Sequence, residues 1–282
     1  MTPDIFSEHR CILGEGPLWE HRHQRLWWLD IKGKELLCKD QNERKWELPR
    51  MVSALACTNS SNLLLATDDG LYSFDTVTEQ HHPLLALEAE YPDNRCNDGK
   101  TDRSGRFWFG TMDNLERNVS GALYCYDGSV ARKVLKDIQI SNTLCWAPDN
   151  QTMYFADSGQ QVIWAFDFNL EDASLSNKRV FVSLEGSNIY PDGSAIDADG
   201  CLWNAQWDGA RVVRYTPDGK EDQIVSLPTS RPTSCMFGGD EYKTLFITTA
   251  SIGLAPDEQP NSGKTFAVRT TAGGLPQTLF CG

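Results

Sequence analysis

Six short apolar segments recur along the chain at intervals of 37 to 49 residues. They begin at Leu26, Leu63, Phe107, Met153, Leu202 and Leu245. Such intervals are the size of one blade in a β-propeller. No segment has a sustained helical period, and turn residues such as those of Asp102-Arg-Ser-Gly separate the apolar stretches. The pattern predicts an all-β fold, in which residues 1–282 form a single six-bladed β-propeller domain with four-stranded antiparallel blades around a central channel.

A second set of positions precedes these segments by ten or eleven residues. Its members are Glu15, Ser53, Asn97, Asn142, Asp192 and Ser234. Equivalent positions of all the blades converge on the axis of a propeller, so we expect these side chains to meet at one mouth of the channel. The loops that follow the second strands should surround this mouth. One of them, Met112–Ser120, either covers a substrate or is a tolerated surface insertion.

Two structural questions concern the blades themselves. Trp27, Trp108 and Trp203 occupy the same second-strand position, which predicts that they pack between neighbouring blades. The strands of the last blade are expected near Cys235, Leu245, Phe266 and Leu279. The segment that begins at Asp4 could also pair with this blade, and the sequence leaves open which terminus supplies the outermost strand.

The charge balance limits the classes of partner. The chain has 26 basic and 39 acidic residues and a net charge of −13, which argues against binding to nucleic acid or to an anionic membrane. The sequence shows neither a signal peptide nor a run that could span a bilayer, and we expect a cytoplasmic protein. Nine cysteines without C-x-x-C spacing indicate reduced thiols, most of them buried, rather than a disulfide framework.

Three of the converging residues carry oxygen donors suited to a metal ion. Glu15 and Asp192 are anionic, Asn142 is neutral, and hard divalent cations prefer such a set, with water completing the coordination. The alternative is that these side chains cap loops and bond the backbone near the axis. Three such residues at one repeat position favour metal binding, by one divalent ion that could be Ca, Zn, Mn, Mg or Fe.

The histidines exclude some mechanisms. All five lie in turns or outer segments and none at a converging position, so a Ser-His-Asp or Cys-His mechanism lacks its base. Hydrolysis assisted by a metal needs neither: the cation polarises an ester-like carbonyl and orients water, while a carboxylate takes the proton.

Several strings resemble the senescence marker protein / gluconolactonase / regucalcin family. They are Leu13-Gly-Glu-Gly-Pro-Leu-Trp, Arg95-Cys-Asn-Asp-Gly-Lys, Gly105-Arg-Phe-Trp-Phe-Gly-Thr-Met, Gly121-Ala-Leu-Tyr, Ser141-Asn, Tyr190-Pro-Asp-Gly and Phe237-Gly-Gly, in order over nearly the whole chain. The resemblance implies a six-bladed propeller with one catalytic divalent metal that opens a sugar lactone, here a five- or six-carbon aldonolactone, to the aldonic acid.

The resemblance also implies roles for individual residues. Glu15, Asn142 and Asp192 match the metal ligands, and Asp192 also matches the general base. Arg95 and Asn97 match residues that contact the substrate, although Arg95 could equally be a structural counter-ion. Glu116 resembles most the family's acidic substrate contact, in a loop that is one residue longer here.

Two other functions remain open from the sequence. One is a metal-dependent arylesterase or phosphotriesterase, whose sites often include a histidine near the metal that is not placed here. The other is a non-catalytic calcium-binding regulator, although the chain has no EF-hand loop. The expected partner is a small sugar lactone, and the protein is expected to be a monomer or a small homo-oligomer.

Overall fold

The computed structural model describes residues 1–282, and its 24 strands form six four-stranded antiparallel sheets. From the axis outward, the first three blades contain β2 (Gly14–Glu20), β3 (Arg25–Asp30), β4 (Glu35–Lys39) and β5 (Glu43–Glu47); β6 (Val52–Cys57), β7 (Asn62–Thr67), β8 (Gly70–Asp75) and β9 (His81–Ala86); and β10 (Asn94–Thr101), β11 (Phe107–Asp113), β12 (Gly121–Tyr126) and β13 (Ala131–Ile138).

The remaining three blades follow the same order. They contain β14 (Ser141–Trp146), β15 (Thr152–Asp157), β16 (Val162–Asn169) and β17 (Ser174–Ser183); β18 (Tyr190–Ile196), β19 (Leu202–Trp207), β20 (Arg211–Tyr215) and β21 (Glu221–Ser226); and β22 (Pro232–Gly238), β23 (Thr244–Thr249), β24 (Thr265–Arg269) and β1 (Asp4–Ser7). Helix is limited to three single turns of 3₁₀ type, at His21–His23, Ser158–Gln160 and Asp240–Tyr242. Each of these helical turns has only three residues, far fewer than a membrane-spanning helix needs. The predicted six-bladed propeller is confirmed.

The N-terminus closes the ring. β1 pairs with β24 as the outermost strand of the sixth blade, so the edge that a chain ending at β24 would expose is covered. The expectation of a strand near Leu279 is wrong. Because β1 occupies that edge, the C-terminal segment instead crosses the face of the ring opposite the mouth, where the Phe280 amide donates to the Cys57 carbonyl and the Cys281 amide to that of Gly105.

The hydrophobic core lies between successive blades, as the tryptophan pattern predicts. Trp27, Trp108 and Trp203 are fully buried, and each packs against its own blade and the next one. Eight of the nine cysteines are buried free thiols in or beside these layers, and Cys281 is an exposed free thiol. Apolar interlocking between blades holds the ring together, which leaves the axis free for polar residues.

Irregular pairing at the mouth end of the inner strands shapes the channel. In all six blades the register between the innermost and second strands shifts within the first residues, as between Glu15 and Leu18 in the first blade and between Asn142 and Cys145 in the fourth. Such bulges bend a strand and redirect its side chains. At two of them the backbone is left-handed, with φ of +55° at Gly16 and +56° at Thr143.

Candidate active site

Two carboxylates from opposite parts of the chain meet at the mouth. Glu15 lies on β2 and Asp192 on β18, both buried. Each accepts one hydrogen bond from the amide of the residue that follows it, Gly16 (3.0 Å) or Gly193 (3.0 Å). No arginine, lysine or histidine forms an ion pair with either carboxylate. The sixfold repeat therefore delivers two negative groups to one buried place without a protein counter-ion in contact.

Burial raises the pKa of both groups. The pKa of Glu15 rises to about 8, first because of burial and then because of the Asp98 carboxylate, while the Gly16 amide and Arg95 oppose the rise. The pKa of Asp192 lies well above its usual value because of burial and the Glu15 carboxylate. Two carboxylates that are destabilised in this way can be stabilised by a cation placed between them.

Asn142, the third predicted ligand, lies on β14, and its amide is oriented by neighbouring side chains. Its Nδ2 donates to Ser158 Oγ at 2.8 Å, and Ser158 in turn donates to the Pro191 carbonyl at 2.6 Å. Its Oδ1 lies 3.2 Å from Asn97 Nδ2. This network turns the Asn142 amide oxygen away from Ser158 and links the fourth blade to the fifth.

Arg95 and Asn97 lie beside this group and contact each other. Arg95 Nη1 donates to Asn97 Oδ1 at 2.7 Å and to the Cys96 carbonyl at 2.8 Å. Asn97 Nδ2 also donates to the Ser141 carbonyl at 2.9 Å. Arg95 Nη2 makes no hydrogen bond within the protein, so this nitrogen can donate to a bound molecule.

The structure does not bring Glu116 into the buried group. Glu116 is exposed on the loop after β11, and it contacts neither Arg95 nor Lys32 directly. Burial lowers the pKa of Arg95 and of Lys32, and the Glu116 charge opposes this lowering in both. The other two converging residues, Ser53 and Ser234, are buried hydroxyls on β6 and β22.

Sequence reasoning missed two residues at the mouth, Lys32 and Asn114. Lys32 lies in the turn after β3, and its Nζ donates to Asn114 Oδ1 at 2.5 Å. Asn114 follows β11 and also accepts from Arg95 Nε at 3.1 Å. The rule that loops after second strands surround the mouth would have identified Lys32 if it had been applied to the first blade.

Further down the channel lie two residues of opposite charge, Lys100 and Asp98. Lys100 donates from Nζ to the Ser194 carbonyl at 2.6 Å, across the channel from its own strand. Asp98 accepts from the amides of Gly99 (2.8 Å) and Leu144 (3.1 Å). Burial raises the pKa of Asp98, and Lys100 opposes this rise. The C-terminal segment lies across the far face of the ring, where the Thr278 carbonyl accepts from Thr101 Oγ1 at 2.6 Å.

Comparison with known proteins agrees with this architecture. Residues 13–251 match the family described as SMP-30/Gluconolactonase/LRE-like region. The L-arabinolactonase of Azospirillum brasilense is 34% identical over 99% of this chain and 95% of its own length. The 6-deoxy-6-sulfogluconolactonase of Pseudomonas putida is 32% identical over 96% of each chain.

A solved structure is similar over the whole molecule. The calcium-binding protein regucalcin from Agrobacterium tumefaciens superposes with a TM-score of 0.96, at 30% identity, over 100% of this chain and 98% of its own. Sequence and fold therefore agree along the entire ring, including the strands that carry Glu15, Asn142 and Asp192. The chain belongs to the SMP-30/gluconolactonase/LRE-like family.

Proposed function

We propose that this protein hydrolyses sugar lactones to aldonic acids with the help of one divalent cation at the mouth of the channel. The observation that carries this proposal is the meeting of Glu15 and Asp192, two buried carboxylates without a protein counter-ion, beside the oriented amide of Asn142. The names of the relatives support the lactone as substrate.

The donor set fits a hard cation. Glu15, Asp192 and Asn142 offer carboxylate and amide oxygens only, and the two carboxylates keep oxygens that no protein donor uses. Such ligands suit calcium, magnesium or manganese better than they suit metals that prefer nitrogen or sulfur. The printed description of the Agrobacterium relative as a calcium-binding protein agrees with this class of ion.

When bound, such a cation polarises an ester carbonyl and lowers the pKa of water. The protein's own groups supply the remaining steps. Asp192 accepts the proton of the attacking water and returns it to the ring oxygen when the acyl–oxygen bond breaks, so that one lactone and one water give one hydroxy acid. Arg95 Nη2 has no acceptor within the protein and donates to an oxygen of the substrate away from the reacting carbonyl.

Asn97 positions these groups. Its amide lies between Arg95 and Asn142, accepting from the first and donating to the second, and it is buried. It therefore couples the residue that binds substrate to a residue proposed to hold the cation. Contact between Asn97 and the sugar hydroxyls stays a prediction.

The experiment is a lactone panel followed with a pH indicator, using protein treated with a chelator and then supplied with calcium, magnesium, manganese or zinc. We expect turnover that disappears with the chelator and returns with at least one cation. Wild-type turnover in metal-free protein would contradict the proposed mechanism. Binding of calcium without turnover of any lactone or aryl ester would favour the non-catalytic alternative.

A further inference from the structure

A row of five contacting side chains leads outward from the candidate metal site. Asn142 contacts Asn97, which contacts Arg95. Beyond Arg95, the side-chain oxygen Oδ1 of Asn114 accepts from both Arg95 Nε (3.1 Å) and Lys32 Nζ (2.5 Å). The row therefore runs from the position proposed for the lactone carbonyl to the rim of the mouth, and its outer part carries two positive charges.

These two cations lack a charged partner. Neither Arg95 nor Lys32 lies within 4.0 Å of a carboxylate oxygen, although most arginines and lysines of the protein that are near the surface form ion pairs. Their shared acceptor is a neutral amide oxygen. Arg95 is only 5% exposed, and Lys32 is half-buried. Desolvated charges of one sign are costly to hold together unless an opposite charge joins them.

This environment lowers the pKa values of both cations. Burial lowers the pKa of Arg95, and burial followed by the neighbouring Arg95 charge lowers the pKa of Lys32. An anion in contact with both groups would reverse these effects.

The carboxylates of the adjoining loop are mostly engaged elsewhere. Asp93 pairs with Arg117 at 2.6 Å, and Asp113 accepts from the Leu115 amide (2.9 Å) and from Asn118 Nδ2 (2.8 Å). Glu116 alone is unengaged, and it lies on the exposed side of the loop. No carboxylate of this loop therefore forms an ion pair with Arg95 or Lys32, and Glu116 acts on them only from a distance.

Space for a substituent exists beside Asn114. A surface cleft of about 480 Å³ opens between the second and third blades. Its lining includes Arg50 and Asn114, together with the carboxylates of Asp68, Asp69 and Asp93, so an anionic group would stay at the Asn114 edge of the cleft. Asn114, the shared acceptor of the two cations, lines this cleft, whereas Arg95 and Lys32 do not. A substrate held by its carbonyl at the inner end of the row could extend a side group to this rim.

From this arrangement we infer that the preferred substrate is an aldonolactone with an anionic group, a carboxylate, sulfonate or phosphate, on a carbon remote from the carbonyl. Arg95 Nη2 and Lys32 Nζ bind that group, and Lys32 determines specificity for it. This inference rests on the proposed function, because the lactone carbonyl is placed by the cation that Glu15 and Asp192 are proposed to hold. Guanidinium and ammonium groups form shorter and stronger hydrogen bonds with anions than with neutral hydroxyls.

Binding of sugars that cannot be hydrolysed tests the inference without turnover. Glucuronate and glucose share the pyranose ring and differ in a carboxylate at carbon 6, and calorimetry on calcium-loaded protein measures both. We expect glucuronate to bind about 10- to 100-fold more tightly, with an advantage that shrinks as salt increases. Lys32→Met should remove most of this advantage. Lys34→Met, which changes an exposed lysine of the same turn, should retain it.

Kinetics with three lactones distinguish the sources of the anion. Gluconolactone, glucarolactone and 6-phosphogluconolactone compare a hydroxyl, a carboxylate and a phosphate at carbon 6. We expect kcat/KM to be higher for at least one anionic lactone than for gluconolactone. Lys32→Met should lower kcat/KM for that lactone about tenfold more than for gluconolactone, chiefly through KM. Glu116→Gln should increase the preference, because it removes a negative charge that acts on both Arg95 and Lys32.

Each contrary outcome has a separate meaning. Equal binding of glucose and glucuronate by the wild type would overturn the inference, and so would equal losses on all three lactones in Lys32→Met. Either result would leave lactone hydrolysis itself intact. Failure of the wild type to open any lactone with any cation would instead contradict the proposed function.

Discussion

Carboxylates lie at both ends of the inner strands, and the two groups differ in how many hydrogen bonds they accept. At the mouth, Glu15 and Asp192 each accept a single hydrogen bond, from the next residue's amide. At the far end, Glu20, Asp102 and Asp197 each accept from a tryptophan Nε1 and from an arginine.

The far-end carboxylates form a repeated structural clamp. Asp102 accepts from Trp108 Nε1 at 2.8 Å and from Arg106 Nε at 2.7 Å. Glu20 does the same with Trp27 and Arg25. Although burial alone would raise the pKa of Glu20, the hydrogen bonds from Arg25 and Trp27 leave it below the usual value. Clamps of this kind occur in the first, third and fifth blades.

This comparison separates the carboxylates that stabilise the ring from those that are available for binding and catalysis. A carboxylate with its donors satisfied holds a hairpin and an inter-blade tryptophan in place. A buried carboxylate without such donors destabilises the metal-free protein, and binding of a cation or a proton removes this cost. The predictions below test this division.

The largest effect is expected for Asp192→Asn. Loss of the general base and of one negative ligand should lower kcat by about 100- to 10,000-fold. The free energy of unfolding should not fall, because the change removes a buried carboxylate that lacks a counter-ion. Lactone turnover and chemical denaturation measure the two quantities. Asp102→Asn is the matched control, and it should show the reverse pattern; a destabilised Asp192→Asn would break the comparison.

Trp108→Ala should act on stability alone. The side chain is fully buried, meets Trp146 edge to face and donates to Asp102, so its removal should cost about 3–5 kcal/mol through the cavity left between two blades. Urea unfolding followed by circular dichroism measures this loss. Activity per folded molecule should be retained. Trp108→Phe keeps most of the volume and should cost about 1.5–3 kcal/mol for the lost hydrogen bond to the Asp102 carboxylate.

Asn142→Ala should lower the apparent metal affinity of the site without abolishing activity. A neutral amide contributes less to cation binding than a carboxylate, so the apparent metal affinity should fall by about tenfold, which corresponds to about 1.4 kcal/mol. Excess cation should restore part of the activity. Metal titrations of the variant and of Asn42→Ala, an exposed control in the first blade, give the comparison. An unchanged affinity would remove Asn142 from the ligand set.

The smallest effect concerns pH and the metal-free protein. The pKa of Glu15 is raised to about 8, so the folded state holds a proton that the unfolded state releases near pH 4.5. The contribution of Glu15 to the free energy of unfolding should therefore be greatest below pH 4.5. It should decrease as the pH rises above 4.5 and be lost once the pH has passed about 8. Thermal unfolding in chelator measures this slope. Glu15→Gln should reduce it, and added cation should oppose the loss; a slope unchanged in Glu15→Gln would assign it to other groups.

Much of this architecture follows from local patterns. Apolar strand segments at blade-sized intervals predict six sheets, and one shared position in each repeat predicts that Glu15, Asn142 and Asp192 converge. The structure confirms the propeller, brings Glu15 beside Asp192 and puts Asn142 in contact with Asn97. Their roles as ligands and base stay predictions. The tryptophans could likewise be assigned between blades, because one register position has one environment throughout a repeat.

Other features depend on contacts between distant parts of the chain. The pairing of β1 with β24 joins the two ends of the sequence, and the turn that carries Lys32 meets Asn114 82 residues later. Neither contact leaves a local periodic signal. Sequence alone determined the blade repeat and the residues that face the axis, because side-chain alternation and turn chemistry act over a few residues. Only the closed ring decided which charges are satisfied, since a buried ion's partners come from whichever blades the packing brings beside it.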